Sequence, residues 1–584
     1  MAVPTFTAVD YVVLAGFLAM STGIGMFIAW RDRGKKSNKQ FLTANKELGW
    51  LPVAMSMMAS FLSSTSFLGL SSEVFVRGST LWSGTIATSL AILMAAFIFM
   101  PMYYKMDITS INEYLEKRFM STAVRKIGSV LFIVQTMLYL GIVLYGPSLA
   151  LGSVTGFPVW SSILLNGVVC TFYTSIGGIK AVVWTDVVQM LLIYVGFAMV
   201  IACGLHHVGG FAAMWRSADD GGRLIITNFS VSPYETYTTW TMLVGWAVTW
   251  MGMYCTNQTQ AQRYTSIRSM RDARKALLLC VPGVAFTIMM SVLSGLTIYA
   301  VYKDCDPRLT GDIAKADQLM PYIVQDLLRD YPGLCGVLAA AVYSSSLSTL
   351  SSGYNALAAV TWEDFVRPRV DIKESTALRL TKCIAAAYGV LSIALAFLAG
   401  SMESIVQAVS SLVGALAGPL VAIFVLGFFF PCCKKKALMV GTGASVVISV
   451  WLALGAILYP PKTHALPTTT AGCLHFNRTI TAGSYELPPT PNGIFLFYHI
   501  SFMWIAVVGF IVGMIVSLIF SLIFERNDAE VVDPRYIFHV VRKYMKKDVH
   551  KNKDTSDGHP CILPKHENEQ MELKALVLQR RQPA

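Results

Sequence analysis

Two runs of hydroxyl side chains stand inside segments that are otherwise apolar. Ala59-Ser60-Phe61-Leu62-Ser63-Ser64-Thr65-Ser66 carries five hydroxyls, with Gly69 and Glu73 following. Ser344-Ser345-Ser346-Leu347-Ser348-Thr349-Leu350-Ser351-Ser352-Gly353 is denser still. On a helix Ser345, Ser348, Thr349 and Ser352 fall at i, i+3, i+4 and i+7, so their oxygens line one face. A hard cation such as sodium takes several oxygen ligands, and hydroxyls together with the freed carbonyls of a broken helix replace its hydration shell without burying a net charge. The plain alternative is that these hydroxyls bond back to their own i−4 carbonyls, or serve as small residues between packed helices. Periodicity leaves both readings open.

The elements holding these runs are membrane helices. Hydrophobic residues make up 54% of 584 positions and charged residues 14%, with mean hydropathy +0.56, which excludes an ordinary soluble domain. A bilayer span needs roughly 20 mostly apolar residues. About thirteen segments qualify, near 8–30, 50–74, 79–103, 127–152, 158–178, 182–206, 240–258, 276–302, 335–360, 381–400, 405–430, 437–459 and 498–524. The first carries Asp10 and lacks a basic leader, so it reads as a span and not as a cleaved signal. The expected organisation is an all-α polytopic membrane domain over 1–525, with a polar, largely disordered tail over 526–584.

The formal charge of +12 is distributed as topology requires and not as a nucleic-acid footprint. Basic residues gather in alternate loops: Arg31 to Lys39, Lys117 to Lys126, Arg263 to Lys275, Lys434 to Lys436, and Arg542 to Lys547. Placing these inside a cell at the plasma membrane sets the N-terminus outside and the C-terminus inside. The sequons at Asn228 and Asn477 then fall outside, as glycosylation requires, while that at Asn257 falls at an inner end. Eleven cysteines show no metal-ligand spacing. Cys203, Cys305, Cys335 and Cys473 are the candidates for a disulfide, with no pairing preferred, and Cys432-Cys433 beside three lysines is a juxtamembrane acylation motif or simply a tolerated pair.

The order of the elements adds a resemblance. Gly177-Gly178-Ile179-Lys180-Ala181-Val182-Val183-Trp184-Thr185-Asp186, the stretch Asn257-Gln258 through Gln262-Arg263-Tyr264, and Leu347-Ser348-Thr349 with Asn355-Ala356 are similar to motifs of the sodium:solute symporter family, over roughly residues 5–525. The resemblance implies a LeuT-like 5+5 inverted repeat, here about 50–206 and 240–430, whose first helices are discontinuous around a midplane site. It implies sodium as the coupling ion, with no other cofactor. Ala59, Leu62 and Ser345 would offer backbone carbonyls to it, Ser348 and Thr349 their hydroxyls, and Asp186 would lie near its inward exit unless it pairs with Lys180 or caps a helix.

Sugar-carrying members resemble one another in amides and acids along spans 2 and 3, where this chain has Phe61, Thr65 and Ser66 and no acid from Ser79 to Tyr103. Iodide-carrying members have glutamines where Ser66 and Thr88 align. Tyr139-Leu140-Gly141-Ile142-Val143-Leu144-Tyr145-Gly146-Pro147 looks most like the branch carrying monocarboxylates, multivitamins and iodide. The expected cargo is therefore a small organic anion, a monocarboxylate or a carboxylate-bearing vitamin such as pantothenate or biotin. Candidate pocket residues are Ser63, Ser66, Thr88, Gln135, Tyr139, Trp250 and Asn257, with Tyr145 and Trp246 as further pocket or gate aromatics, although membrane aromatics at such spacings also serve packing. The competing readings are an iodide-type symporter, a substrate-gated sodium conductance or sensor on the same fold, and a scaffold acting through the tail. No nucleophile–base pair, phosphate loop or metal cluster supports an enzyme.

Overall fold

Apolar runs of this length leave backbone groups no partner but their own i−4 neighbours, and helix is the outcome. The computed structural model describes residues 6–542 apart from 32–36, 61, 329–330, 399–404, 462–464, 474–478, 485–489 and 526–531. Asn477, Phe61, and the tail beyond 542 thus lie outside the described residues. The helices that build the bundle are α1 (Ala8–Arg31), α2 (Trp50–Ala59), α3 (Leu70–Arg77), α4 (Gly84–Met94), α5 (Thr122–Thr155), α6 (Val159–Val208), α7 (Trp246–Tyr254), α8 (Gln258–Thr265), α9 (Met270–Tyr302), α10 (Leu334–Thr361), α11 (Glu374–Leu398), α12 (Ile405–Phe429), α13 (Lys435–Leu458) and α14 (Phe502–Phe524).

Among the described residues ten helices are long and apolar enough to cross a membrane. The thirteen anticipated spans map onto these elements in three ways that differ from simple rods. Spans 158–178 and 182–206 are limbs of the single run α6, bent at Gly178 (φ 62, ψ −165). The second anticipated span is α2 and α3, separated by residues 60–64 and a widened π turn at Thr65–Gly69. The seventh is short: a π turn at Thr241–Gly245 leads into α7, which ends at Tyr254 before α8 begins.

Gly178 is where the backbone demands glycine. A Cβ there would sit 2.6 Å from Phe41 Cδ2 and 2.8 Å from the Phe41 carbonyl, and a positive φ with ψ near −165° is open to glycine almost alone. The break between α2 and α3 has a different cause. Ser60 donates to the Ser56 carbonyl (3.0 Å), Ser64 donates across to the Val143 carbonyl on α5 (3.1 Å), and the amides of Ser66 and Phe67 turn back to the Ser63 carbonyl. Local hydroxyl bonds thus compete with the helical ladder where five hydroxyls cluster.

Helix α10 is buried along nearly its whole length and packs on α6, α5, α1 and α11. Helices α12, α13 and α14 pack on one another, and α9 lies against α3, α4 and α6. Contacts sort the loops into two ends. At one end the Asp10 carboxylate accepts the amides of Gly333 and Gly336 at the start of α10. Cys305 is disulfide-bonded there to Cys473, which settles the pairing that spacing left open, and strand β1 (Thr468–Thr469) pairs antiparallel with β2 (Thr481–Ala482). At the other end Lys46 binds Asp107 (2.5 Å), Arg125 binds Asp364 (2.6 Å), and the segment around Pro534–Tyr536 docks through Tyr114 and the fully buried Ile537.

Candidate functional site

The last carbonyls of a helix have no intrahelical donor, and at the end of α2 they find donors on α10. Ser348 donates its hydroxyl to the Ala59 carbonyl (2.9 Å), and Thr349 donates to the Ser60 carbonyl (2.9 Å) and to the Ser345 carbonyl (3.3 Å). These oxygens come from two helices distant in sequence, and the residues are all buried. The set is neutral and purely oxygen, which suits a hard monovalent cation. It also receives the negative end of the α2 dipole. Leu62 lies in the break, with its amide bonded to the Met58 carbonyl. The Ser345 hydroxyl donates to the Val342 carbonyl (2.6 Å), and Ser352 to the Ser348 carbonyl (2.6 Å). The i−4 bond is made by Ser352 and, at 3.3 Å, by Thr349, while Ser348 and Thr349 reach across the helix interface.

A second polar group adjoins this cluster. Asp186 on α6 is fully buried, accepts the Ser56 hydroxyl at 2.6 Å and pairs with Arg263 of α8 at 3.1 Å. Arg263 also donates to Ser352, whose hydroxyl is 3.1 Å from that of Ser60. Lys180 instead binds Glu47 at 3.0 Å, so the alternative partner named for Asp186 is replaced by Arg263. Sequence reasoning quoted Arg263 in a motif without giving it a role, because a distance of 77 residues carries no local signal. Oδ1 of Asp186 and Nη1 of Arg263 are buried without a protein hydrogen-bond partner. Orphaned polar atoms next to an oxygen cluster fit a place where an ion or its water passes.

Beside the break lies a cavity of about 90 Å³. Ser63, Ser66, Tyr139 and Trp250 line it, together with Leu62, Thr65 and Trp246. Among the described residues its lining contains no charged side chain. Tyr139 interacts with the hydroxyls of both Ser63 and Thr349, joining cavity to oxygen cluster. The remaining candidates lie elsewhere. Thr88 stands behind the wall, accepting the Trp246 indole N–H at 2.9 Å. Gln135 is buried on α5 outside the lining, and Asn257 caps α8 by accepting the Thr259 amide at 2.8 Å. These three lie outside the residues that line the cavity. Thr249 and Met253 join Trp246 and Trp250 on one face of α7, and Val284, Thr287 and Ile288 do the same on α9. Their i, i+3, i+4 spacing was visible, but it is the spacing of any packed helix face.

Known proteins match this architecture. The profile described as the sodium:solute symporter family matches residues 41–443. The chain is 39% identical over 515 residues to sodium-coupled monocarboxylate transporter 2 of Mus musculus, covering 87% of this chain and 83% of that protein. It is 41% identical over 501 residues to sodium-coupled monocarboxylate transporter 1 of Homo sapiens, covering 85% and 82%. The sodium/iodide cotransporter of Homo sapiens is 40% identical over 476 residues, covering 81% and 74%. A solved structure of a Na+-coupled sialic acid symporter, in a substrate-bound outward-open state, superposes with a TM-score of 0.73 at 20% identity, covering 89% of this chain and 98% of that one. The last likeness shows the fold, which is LeuT-like.

Proposed function

We propose, from the premise that the chain belongs to the sodium:solute symporter family and is a multi-pass, sodium-coupled symporter and not an enzyme, that its cargo is a small monocarboxylate. Carboxylate-bearing vitamins belong to the same chemical class. The cargo moves with sodium by alternating access at the plasma membrane, N-terminus outside and C-terminus inside. The observation that carries the reading is the pairing of a hydroxyl- and aromatic-lined cavity with a neutral oxygen cluster one residue contact away, through Tyr139. An anion in that cavity takes charge-assisted hydrogen bonds from Ser63, Thr65 or Ser66 and from amides freed at the helix break. The cation held by Ala59, Leu62, Ser345, Ser348 and Thr349 supplies the positive charge that the lining lacks. Asp186 with Arg263 stands on the inward side of that cluster, where the ion leaves.

In this arrangement each ligand improves the other's site: without sodium the carboxylate is buried uncompensated, a costly state. That is coupling in its simplest electrostatic form. The relatives named as monocarboxylate transporters support the cargo class, and the one named as an iodide cotransporter supports iodide as the second reading. The two are separated by competition. Lactate or butyrate should block labelled carboxylate uptake, while the methyl ester or amide of the same shape should not. Iodide blocking as well as the acid, with the ester equally effective, would overturn the carboxylate reading.

The proposed orientation rests on which groups share an end. Asn228, in a segment with Phe229 64% and Val231 86% exposed, lies with the disulfide and the N-terminus, because Ser79 and Arg223 tie that segment to the end of α3. Asn257 lies at the opposite end with Lys46, Arg125 and the segment around Pro534–Tyr536. A disulfide marks the oxidising side, and clustered Lys and Arg mark the cytoplasmic one.

A further inference from the structure

The loop between α9 and α10 folds over the end of the cavity and is held in shape before it reaches it. The Cys305–Cys473 disulfide anchors its start, the Asp306 amide donates to the Thr469 carbonyl at 3.0 Å, and the Gly472 amide donates to the Asp304 carbonyl at 2.8 Å. Farther along, Gln318 Oε1 accepts the amides of Ala314 and Lys315, both at 2.9 Å, and the Lys315 ammonium stands 5.4 Å from the centre of the Tyr145 ring on α5. This bracing presents one carboxylate inward. Asp317, 3% exposed, accepts the Ser72 hydroxyl at 3.0 Å, and Ser72 also lies 2.8 Å from the Gly69 carbonyl.

Ser72 belongs to α3, the half of the broken helix beyond the cavity. Gly69 at its base is so close to Val406 of α12 that a Cβ would come within 2.6 Å of Val406 Cγ2 and 3.8 Å of Asp317 Oδ1. Val406 and Leu70 both line the cavity. A carboxylate on a cross-linked loop therefore grips the mobile-half candidate of the broken helix, directly above the cargo site. We propose that Asp317 is a positioning residue of the transport cycle. Its bond to Ser72 latches α3 against the loop in the outward-closed arrangement, and its release lets the cavity open to the outer face. This inference rests on the alternating-access and orientation readings above.

The test uses the full chain in intact cells, with Val406→Cys as a reporter and the same protein lacking that substitution as background for the native thiols. A membrane-impermeant methanethiosulfonate is added from outside, and labelling is expressed per molecule at the surface. Losing one hydrogen bond to a charged group shifts a two-state balance by about tenfold. Asp317→Ala and Ser72→Ala should each raise the labelling rate about tenfold. Asp317→Asn, which keeps an acceptor oxygen, should raise it far less, and the Asp317→Ala/Ser72→Ala double variant should label no faster than either single one. Unchanged labelling in Asp317→Ala, or additive effects in the double variant, would overturn the latch. Insensitivity of Val406→Cys labelling to sodium in the otherwise unaltered protein would count against alternating access instead, whatever the Asp317 variants do.

Discussion

At the scale of single residues, the hydroxyls differ in whether they bond within their own helix or reach across to another. Ser352 donates to its own helix, Ser348 donates across to the Ala59 carbonyl, and Thr349 does both, to Ser345 and to Ser60. Replacing Ser348 or Thr349 with alanine removes a proposed ligand oxygen from a small set. The loss of a contact to a charge, about 1.5–3 kcal/mol, raises half-saturating sodium roughly tenfold or more. Uptake against sodium concentration, normalised to surface protein, measures it; wild-type sodium dependence in both variants would mean that the serine face only packs. Tyr139→Phe removes the hydroxyl that meets both Ser63 and Thr349, and should raise the half-saturating concentrations of sodium and cargo together, by about three- to tenfold each for a bond worth ~1 kcal/mol. A change in only one of the two would separate the sites. The hydroxyl runs and their helical phase were legible in the sequence because residue type and spacing are local properties. The partner of Asp186 was not, because Arg263 arrives from another helix and nothing local to either residue specifies the pair.

Among elements, glycine and serine shape the bundle by opposite means. The bend of α6 at Gly178 exists because the absence of a side chain admits a left-handed φ and close contact with Phe41. Gly178→Ala should cost about 1–3 kcal/mol from the backbone alone, with the 2.6 Å approach to Phe41 Cδ2 adding to it. Lower yield and a lower unfolding temperature in detergent are the expected readout, and a variant as stable as the parent would contradict this account of the bend. The gap between α2 and α3 was anticipated from the family resemblance, and the five hydroxyls there compete for the backbone. The first helix of the second repeat is interrupted as well: after a π turn at Thr241–Gly245, α7 ends at Tyr254 and α8 begins at Gln258, with Asn257 extended between them.

For the whole molecule, the two ends of the bundle carry different chemistry, and that asymmetry was legible as clusters of Lys and Arg in alternate loops before any helix was placed. It predicts that a glycan is found on Asn228 and never on Asn257; peptide mapping with and without glycosidase reads this, and occupancy of Asn257 would reverse the orientation. Energetically, a sodium ion crossing 100 mV contributes about 2.3 kcal/mol, but a single sodium moving with a monoanion carries no net charge and draws only on the sodium gradient. Current per solute therefore counts sodium ions in excess of the cargo's charge. What sequence could not supply at this scale was the cavity itself, because its walls come from α5, α7, α9, α12 and the broken helix together, and only the assembled bundle brings them to one place.

The most direct measurement of the central claim is uptake by the purified protein in liposomes, with labelled lactate, butyrate, pantothenate, biotin, iodide and glucose each tested with and without an inward sodium gradient. The account predicts that at least one carboxylate accumulates above equilibrium only while the gradient lasts, and leaks back when sodium is equalised. Accumulation of iodide or glucose with every carboxylate ignored, or carboxylate accumulation that persists without sodium, would contradict it.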